Sequence, residues 1–203
     1  MVEKKIEGKI RVLGLDDWWL NELTQCDRDA VQQSYGPDQG EIEGTLSWTT
    51  QSRISFLTNV ADWLKGEDTR FTAYKFIKKA DEIWPDEAAA IQGHFALSAM
   101  CKVYYRWRDT DEFALDAAIA SCKRSISMQH EAAIALRATG QITWGTGLPG
   151  HYCFKQLAII EEKRGNFTEA VTICEEAKLE GWMDDWDKRI ARLEKKAAKV
   201  PRR

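Results

Sequence analysis

Three histidines and five cysteines are the side chains of this 203-residue chain best suited to nucleophilic or metal chemistry, and their spacing decides what they can do. His94, His130 and His151 form neither a His-x-x-x-His nor a His-Glu-x-x-His pattern, the spacings that put two imidazoles on one helix face for zinc. Cys26, Cys101, Cys122, Cys153 and Cys174 are odd in number and contain no Cys-x-x-Cys pair, which argues against a disulfide framework and against a zinc ribbon. Set among apolar residues at helical spacing, they read as reduced, small hydrophobes. His151 and Cys153 are two residues apart, so they point to different sides of a helix and make poor joint ligands. Surface or helix-start roles are expected for the histidines. No Gly-rich phosphate loop is present, and no cofactor, metal or catalytic residue is expected.

Charged clusters offer weaker chemistry. Asp184, Asp185 and Asp187 surround Trp186, and neighbouring carboxylates can do acid–base or cation chemistry. They also stand where the last helix begins, and there the helix dipole stabilises negative charge. Glu161 with Arg164 is the other pair from which a helical enzyme would have to assemble a site. The set that reads best as a binding face is Lys102, Tyr105, Arg106 and Arg108, a basic side interleaved with aromatic rings. Its preferred occupant is an acidic peptide or a C-terminal carboxylate. The competing reading is a solvated helix face over a buried core. Of the nine tryptophans, most fall near helix ends, where a large ring seals a hairpin while its N–H reaches a polar partner. Trp18 and Trp19 stand about 100° apart on a helix, so one of them is expected to be exposed as an interface anchor.

These residues have to be positioned by helices. With 44% apolar and 30% charged residues the chain can bury a core without disulfides. A formal charge of −3, dispersed rather than blocked, disfavours nucleic acid as a partner. No apolar run approaches the roughly 20 residues that span a bilayer, and Met1 to Leu13 alternates charged with apolar residues, so no membrane partner and a cytoplasmic location are expected. Lys5 to Leu15, interrupted by Gly8 and Gly14, reads as an irregular arm. Asp16 then caps a helix to about Ser34, ended by Gly36-Pro37. After a polar loop, Thr49 or Thr50 caps a helix to about Lys65, and a second runs from Thr69 to Trp84, stopped by Pro85. A long helix follows to about Trp107, then one to Met128 and a shorter stretch from Glu131 to Arg137. Gly140 to Gly150 is the clearest loop. Helices His151–Lys163 and Phe167–Leu179 flank a Gly165-Asn166 turn, and a last amphipathic helix covers Asp184 to Lys199. Connections this short make antiparallel hairpins.

Self-similarity organises these hairpins. Phe154-x-x-Leu157-Ala158, then Gly165-Asn166-Phe167, then Ala170, Cys174 and Ala177 resemble a tetratricopeptide repeat (TPR) unit. Leu57, Val60, Ala61 and Leu64 followed by Ala73, Ile77, Ala80 and Pro85 give a second unit. Leu97, Met100, Cys101 and Tyr104 followed by Ala118, Cys122 and Ser125 give a third, looser one. Ala73, Ala118 and Ala170 are 45 and 52 residues apart, longer than the family's period of about 34, and Glu161 stands where the family usually has tyrosine. The resemblance implies an all-α chain of antiparallel helix hairpins stacked as a short superhelix. A capping region over residues 1–48 precedes hairpins at about 49–85, 86–128 and 151–180, within one cooperative domain. It further implies a non-catalytic adaptor or scaffold that binds a protein or peptide. Homo-oligomerisation, or a regulator that senses a peptide or small ligand and acts through a partner, is the alternative. The lysine–asparagine set of chaperone-tail-binding members is missing, with Thr58 and Asp62 on the corresponding face.

Overall fold

The structure is a computed structural model that describes residues 6–36, 41–84, 89–140 and 147–199. Among these residues it contains eleven helices and no strand, so the chain is all-α. Backbone contacts group it into two compact units, Met1–Ala88 and Ala89–Arg203.

The first unit holds α1 (Gly8–Val12), α2 (Asp16–Asn21), α3 (Gln25–Ser34), α4 (Arg53–Trp63) and α5 (Arg70–Glu82). The expected irregular arm is a helical turn strapped to the following loop. Lys9 N–H donates to the Glu41 carbonyl and Ile10 N–H to that of Ile42. Gly8 permits this approach. A Cβ there would stand 2.5 Å from the Glu41 oxygen and the Gly44 nitrogen, and its φ of +67° already suits glycine. The single helix expected over Asp16–Ser34 is two helices. Thr24 and Asp27 form a capping box, in which each side chain accepts the other's backbone N–H, so the chain restarts at Gln25. The apolar spacing of Leu20, Leu23 and Val31 runs through this break and conceals it. Ser52, rather than Thr49 or Thr50, caps α4 by accepting from Ser55 N–H.

Helices α4 and α5 pack as the expected hairpin, burying Ile54, Leu57, Val60 and Ala61 against a face that carries Ala73, Phe76, Ile77 and Ala80. Trp18 and Trp19 are both buried, contrary to the expectation that one is exposed. Both rings meet Phe76 edge-on, at 4.9 and 6.3 Å. A 100° difference in direction is compatible with common burial because one bulky ring from α5 reaches both. The Trp19 indole N–H donates to Glu43. Trp48 and Trp63 are the exposed indoles of this unit among the described residues.

The second unit holds α6 (Ala90–Arg106), α7 (Ala114–Ser127), α8 (Gln129–Ala138), α9 (Tyr152–Arg164), α10 (Phe167–Glu180) and α11 (Trp186–Ala197). Helix α6 packs on α7, α7 on α9, α9 on α10 and α10 on α11, while α8 closes against α6. The α9–α10 turn has a Schellman arrangement. Gly165 is left-handed at φ +81°, Asn166 N–H donates to the Glu161 carbonyl and Gly165 N–H to that of Glu162. Of the Gly140–Gly150 loop, Gly140 and residues 147–150 are described. Leu148 forms a parallel bridge with Trp182, donating to the Gly181 carbonyl and accepting from Met183 N–H, which ties this segment to the α10–α11 turn. The last helix begins at Trp186, two residues later than expected. Pro37, Pro85 and residues 141–146 of the Gly140–Gly150 loop lie outside the described residues.

Candidate functional site

The expected binding set comes from the C-terminal end of α6. Lys102 lies half-buried with its ammonium 5.1 Å from the centre of the Tyr152 ring, and Arg106 is the last residue of the helix. Tyr105 and Arg108 stand apart from those two. They line a pocket of 310 Å³ together with Asp109, Leu115, Ile160, Lys163 and Arg164. The structure thus brings two of the four residues into one cavity and leaves Lys102 and Arg106 outside its lining.

The pocket is built where three elements meet. The turn after α6 supplies Arg108, whose guanidinium stacks 4.3 Å over the Tyr105 ring, donates to the Tyr105 carbonyl and pairs with Asp109 at 3.0 Å. Helix α7 supplies Leu115, and α9 supplies Ile160, Lys163 and Arg164 from one face at spacings of three and four. Arg164 is held by Glu161 at 3.1 Å, and Glu161 also accepts from Asn166 at the turn. That carboxylate therefore fixes the hairpin end rather than forming an acid–base pair. The Lys163 ammonium donates to the Tyr105 hydroxyl at 3.1 Å and meets no carboxylate among the described residues. An apolar floor with an aromatic wall and an unneutralised ammonium suits a ligand that ends in a carboxylate.

Sequence reasoning missed Leu115, Ile160, Lys163 and Arg164 as partners of Tyr105. The one-face spacing of the last three is visible in the sequence, but the adjacency of α9 to α6 and α7 is not.

A second constellation lies in the core of the same unit, where four of the five cysteines are free and buried among apolar residues, as expected, and three of them come together. Cys101 on α6, Cys122 on α7 and Cys153 on α9 are fully buried, with all three Sγ atoms within 4.8 Å of one another and Cys101 and Cys122 at 3.2 Å. Cys153 is the acidic member. The Cys101 and Cys122 thiols donate toward it and hold it well below the usual thiol range against the opposing effect of burial. Cys122 is pushed up by its hydrogen bonds with Cys101 and Cys153 and by burial. Ser98 Oγ lies 3.9 Å from Cys153 Sγ, and the buried Ser125 hydroxyl beside Cys153 has no hydrogen-bond partner of good geometry.

Two imidazoles border this cluster. His94 stacks on Trp182 at 5.0 Å and 11°, and His151 meets both rings edge-on, 4.5 Å from His94 and 4.7 Å from Trp182. His151 has the expected helix-start role, its Nδ1 accepting Phe154 N–H, but neither ring is at the surface. Burial, and then the neighbouring His94, lower His151 to about 3, and burial lowers His94 as well, so both rings are neutral near neutral pH. His94 Nδ1 and His151 Nε2 are buried without partners. His130 is exposed against Glu180.

The acidic cluster resolves into separate pairs. Asp184 accepts Asp185 N–H and meets Lys155 at 3.0 Å, Asp185 meets Arg189 at 3.4 Å, and Asp187 pairs with Lys178. Burial would raise the Asp184 carboxyl, but the Asp185 N–H and Lys155 hold it below its ordinary value.

No protein-family model matches this chain, and neither a curated protein nor a solved structure is significantly similar to it. Among the described residues, no helix is long and apolar enough to cross a membrane. What stands defined is an all-α chain with a basic, aromatic-walled pocket and a thiol-rich core.

Proposed function

We propose that this chain is a TPR-like, non-catalytic binding module of the cytoplasm that captures an acidic peptide or C-terminal carboxylate at the pocket between α6, α7 and α9. The observation that carries this reading is the pocket itself. Tyr105, Leu115 and Ile160 offer apolar contact, and Lys163 offers a cation engaged by a hydroxyl rather than by a carboxylate. A ligand carboxylate displacing that hydroxyl gives the ammonium an acceptor of opposite charge, a stronger bond than the ammonium–hydroxyl contact it replaces. Arg108 and Arg164 are already paired, so they contribute field and packing more than a direct bond. In this reading Lys102 and Arg106 steer the ligand from outside the cavity.

Fluorescence polarisation with a labelled peptide set, matched pairs ending in a free carboxylate or an amide, tests it. The free-carboxylate peptides bind the wild type, and Lys163→Glu weakens them by roughly tenfold or more, the scale of one lost charge-assisted bond. Lys102→Glu has a smaller effect that fades with added salt. Equal binding of acid and amide peptides, or a larger loss from Lys102→Glu than from Lys163→Glu, would sink the assignment of the pocket.

A further inference from the structure

Cysteines used as small core fillers have no reason to place their sulfur atoms together. Cys174 provides the internal comparison. It is as buried as the others and belongs to the same hydrophobic core, yet it stands outside the sulfur group. Cys101, Cys122 and Cys153 come from three different helices, α6, α7 and α9, and their Sγ atoms converge within 4.8 Å. Three bonds of about 2.3 Å to one central ion need sulfur–sulfur separations of about 4 Å in a planar arrangement and about 3.4 Å in a pyramidal one. The shortest observed separation, 3.2 Å, and the 4.8 Å limit bracket both values.

The surroundings narrow the kind of ion. Among the described residues no carboxylate oxygen or imidazole nitrogen joins the group, so a hard cation finds no oxygen ligands and tetrahedral zinc lacks a fourth protein ligand. Thiolate donors select soft ions. The net charge of the complex matters because these sulfurs lie in a hydrophobic core, where an uncompensated charge is costly. Three thiolates cancel a trivalent ion completely, whereas they leave one negative charge with a divalent ion and two with a monovalent one. The buried Ser125 hydroxyl lies beside Cys153 and adds a polar group to the wall of the site.

We propose that Cys101, Cys122 and Cys153 form a three-sulfur site for a soft, three-coordinate ion of the trivalent arsenic class. Loading with arsenite is a condensation without change of oxidation state. Three arsenic–oxygen bonds break, three arsenic–sulfur bonds form, and the three hydroxides leave as water, taking the Cys101 and Cys122 thiol protons and a third from solvent when Cys153 is already ionised. No net charge is placed in the core. All three sulfurs are buried, so binding follows local opening of the helices and is slow compared with diffusion.

The test uses the full chain, reduced with a phosphine so that no competing thiol is present, and incubated with arsenite, cadmium or zinc ions until no further change. Native mass spectrometry is expected to show one arsenic per chain with three hydrogens lost. Cys101→Ala, Cys122→Ala and Cys153→Ala should each weaken binding by more than about tenfold, while Cys26→Ala leaves it unchanged. Cadmium and zinc should bind more weakly than arsenite. Absence of an adduct, an adduct that retains a hydroxyl, or tighter binding of zinc would overturn the proposal. X-ray absorption on the arsenic-loaded wild type needs no variant. Three sulfur neighbours support the site, and an oxygen in the first shell refutes it whether or not the alanine variants fold.

Discussion

Two clusters of buried polar groups, one in each unit, are arranged in opposite ways. In the first, Asp27 is buried, and its carboxylate accepts from the Thr24 backbone N–H, the Thr24 hydroxyl, the Thr72 hydroxyl and the Lys75 ammonium. Those bonds tie the start of α3 to α5, so a costly charge is converted into a structural link. In the second, His94 Nδ1, His151 Nε2 and Gln156 Nε2 are buried without a hydrogen-bond partner, and the buried Ser125 hydroxyl has none of good geometry. A closed network fixes a fold. Open valences in a core lower stability and leave donors and acceptors available for chemistry.

Breaking the first unit's core should have the largest effect. Trp19 is fully buried against Phe76, and Trp19→Ala removes both the ring and its bond to Glu43. A loss of about 3–5 kcal/mol is expected in urea unfolding followed by circular dichroism. A loss under about 1 kcal/mol would mean that the ring is not a core element.

Acid sharpens the comparison at intermediate size. The hydrogen bonds from Lys75, Thr72 and Thr24 outweigh burial and lower the Asp27 carboxyl from 3.8 to about 2. Because the folded value lies below the unfolded one, the stabilisation is fully present above about pH 4 and is lost as pH falls toward 2. Lys75 is partly exposed, which reduces the contribution to about 2 kcal/mol. Asp27→Asn should flatten the acid limb of the stability curve over that window, and an unchanged limb would show that the Asp27 network carries no linkage.

Helix identity was legible in the sequence wherever caps and periodicity agreed. The α4–α5 and α9–α10 hairpins fall within a few residues of expectation because Gly66-Glu67-Asp68 and Gly165-Asn166 interrupt otherwise regular apolar spacing. The break at Thr24 was not legible, since the apolar stripe continues across it. The tryptophan pair misled because direction on one helix does not say how large a neighbouring ring is. Cys101, Cys122 and Cys153 lie 21 and 31 residues apart, and no local pattern announces a cluster that exists only when three helices pack. Most of the lining of the basic pocket was hidden for the same reason, with Lys163 reaching Tyr105 only once α9 is placed beside α6 and α7.

The smallest effect is also the most discriminating, because the same kind of change should have opposite signs in the two units. Thr72→Val in the first unit replaces a hydroxyl by a methyl of similar size and removes one of the donors to the buried Asp27 carboxylate. The charge stays buried with one bond fewer, so the protein should lose about 1 kcal/mol or more. Ser125→Ala in the second unit removes a buried hydroxyl that has no partner of good geometry. Nothing is left unpaired, the desolvation cost of the hydroxyl disappears and only a cavity smaller than a methyl group is created, so stability should rise by up to about 1 kcal/mol. Urea midpoints at neutral pH under reducing conditions measure both. If Ser125→Ala destabilises as much as Thr72→Val, the Ser125 hydroxyl is bonded within the thiol cluster, and the contrast between a closed network and an open one no longer holds at that position.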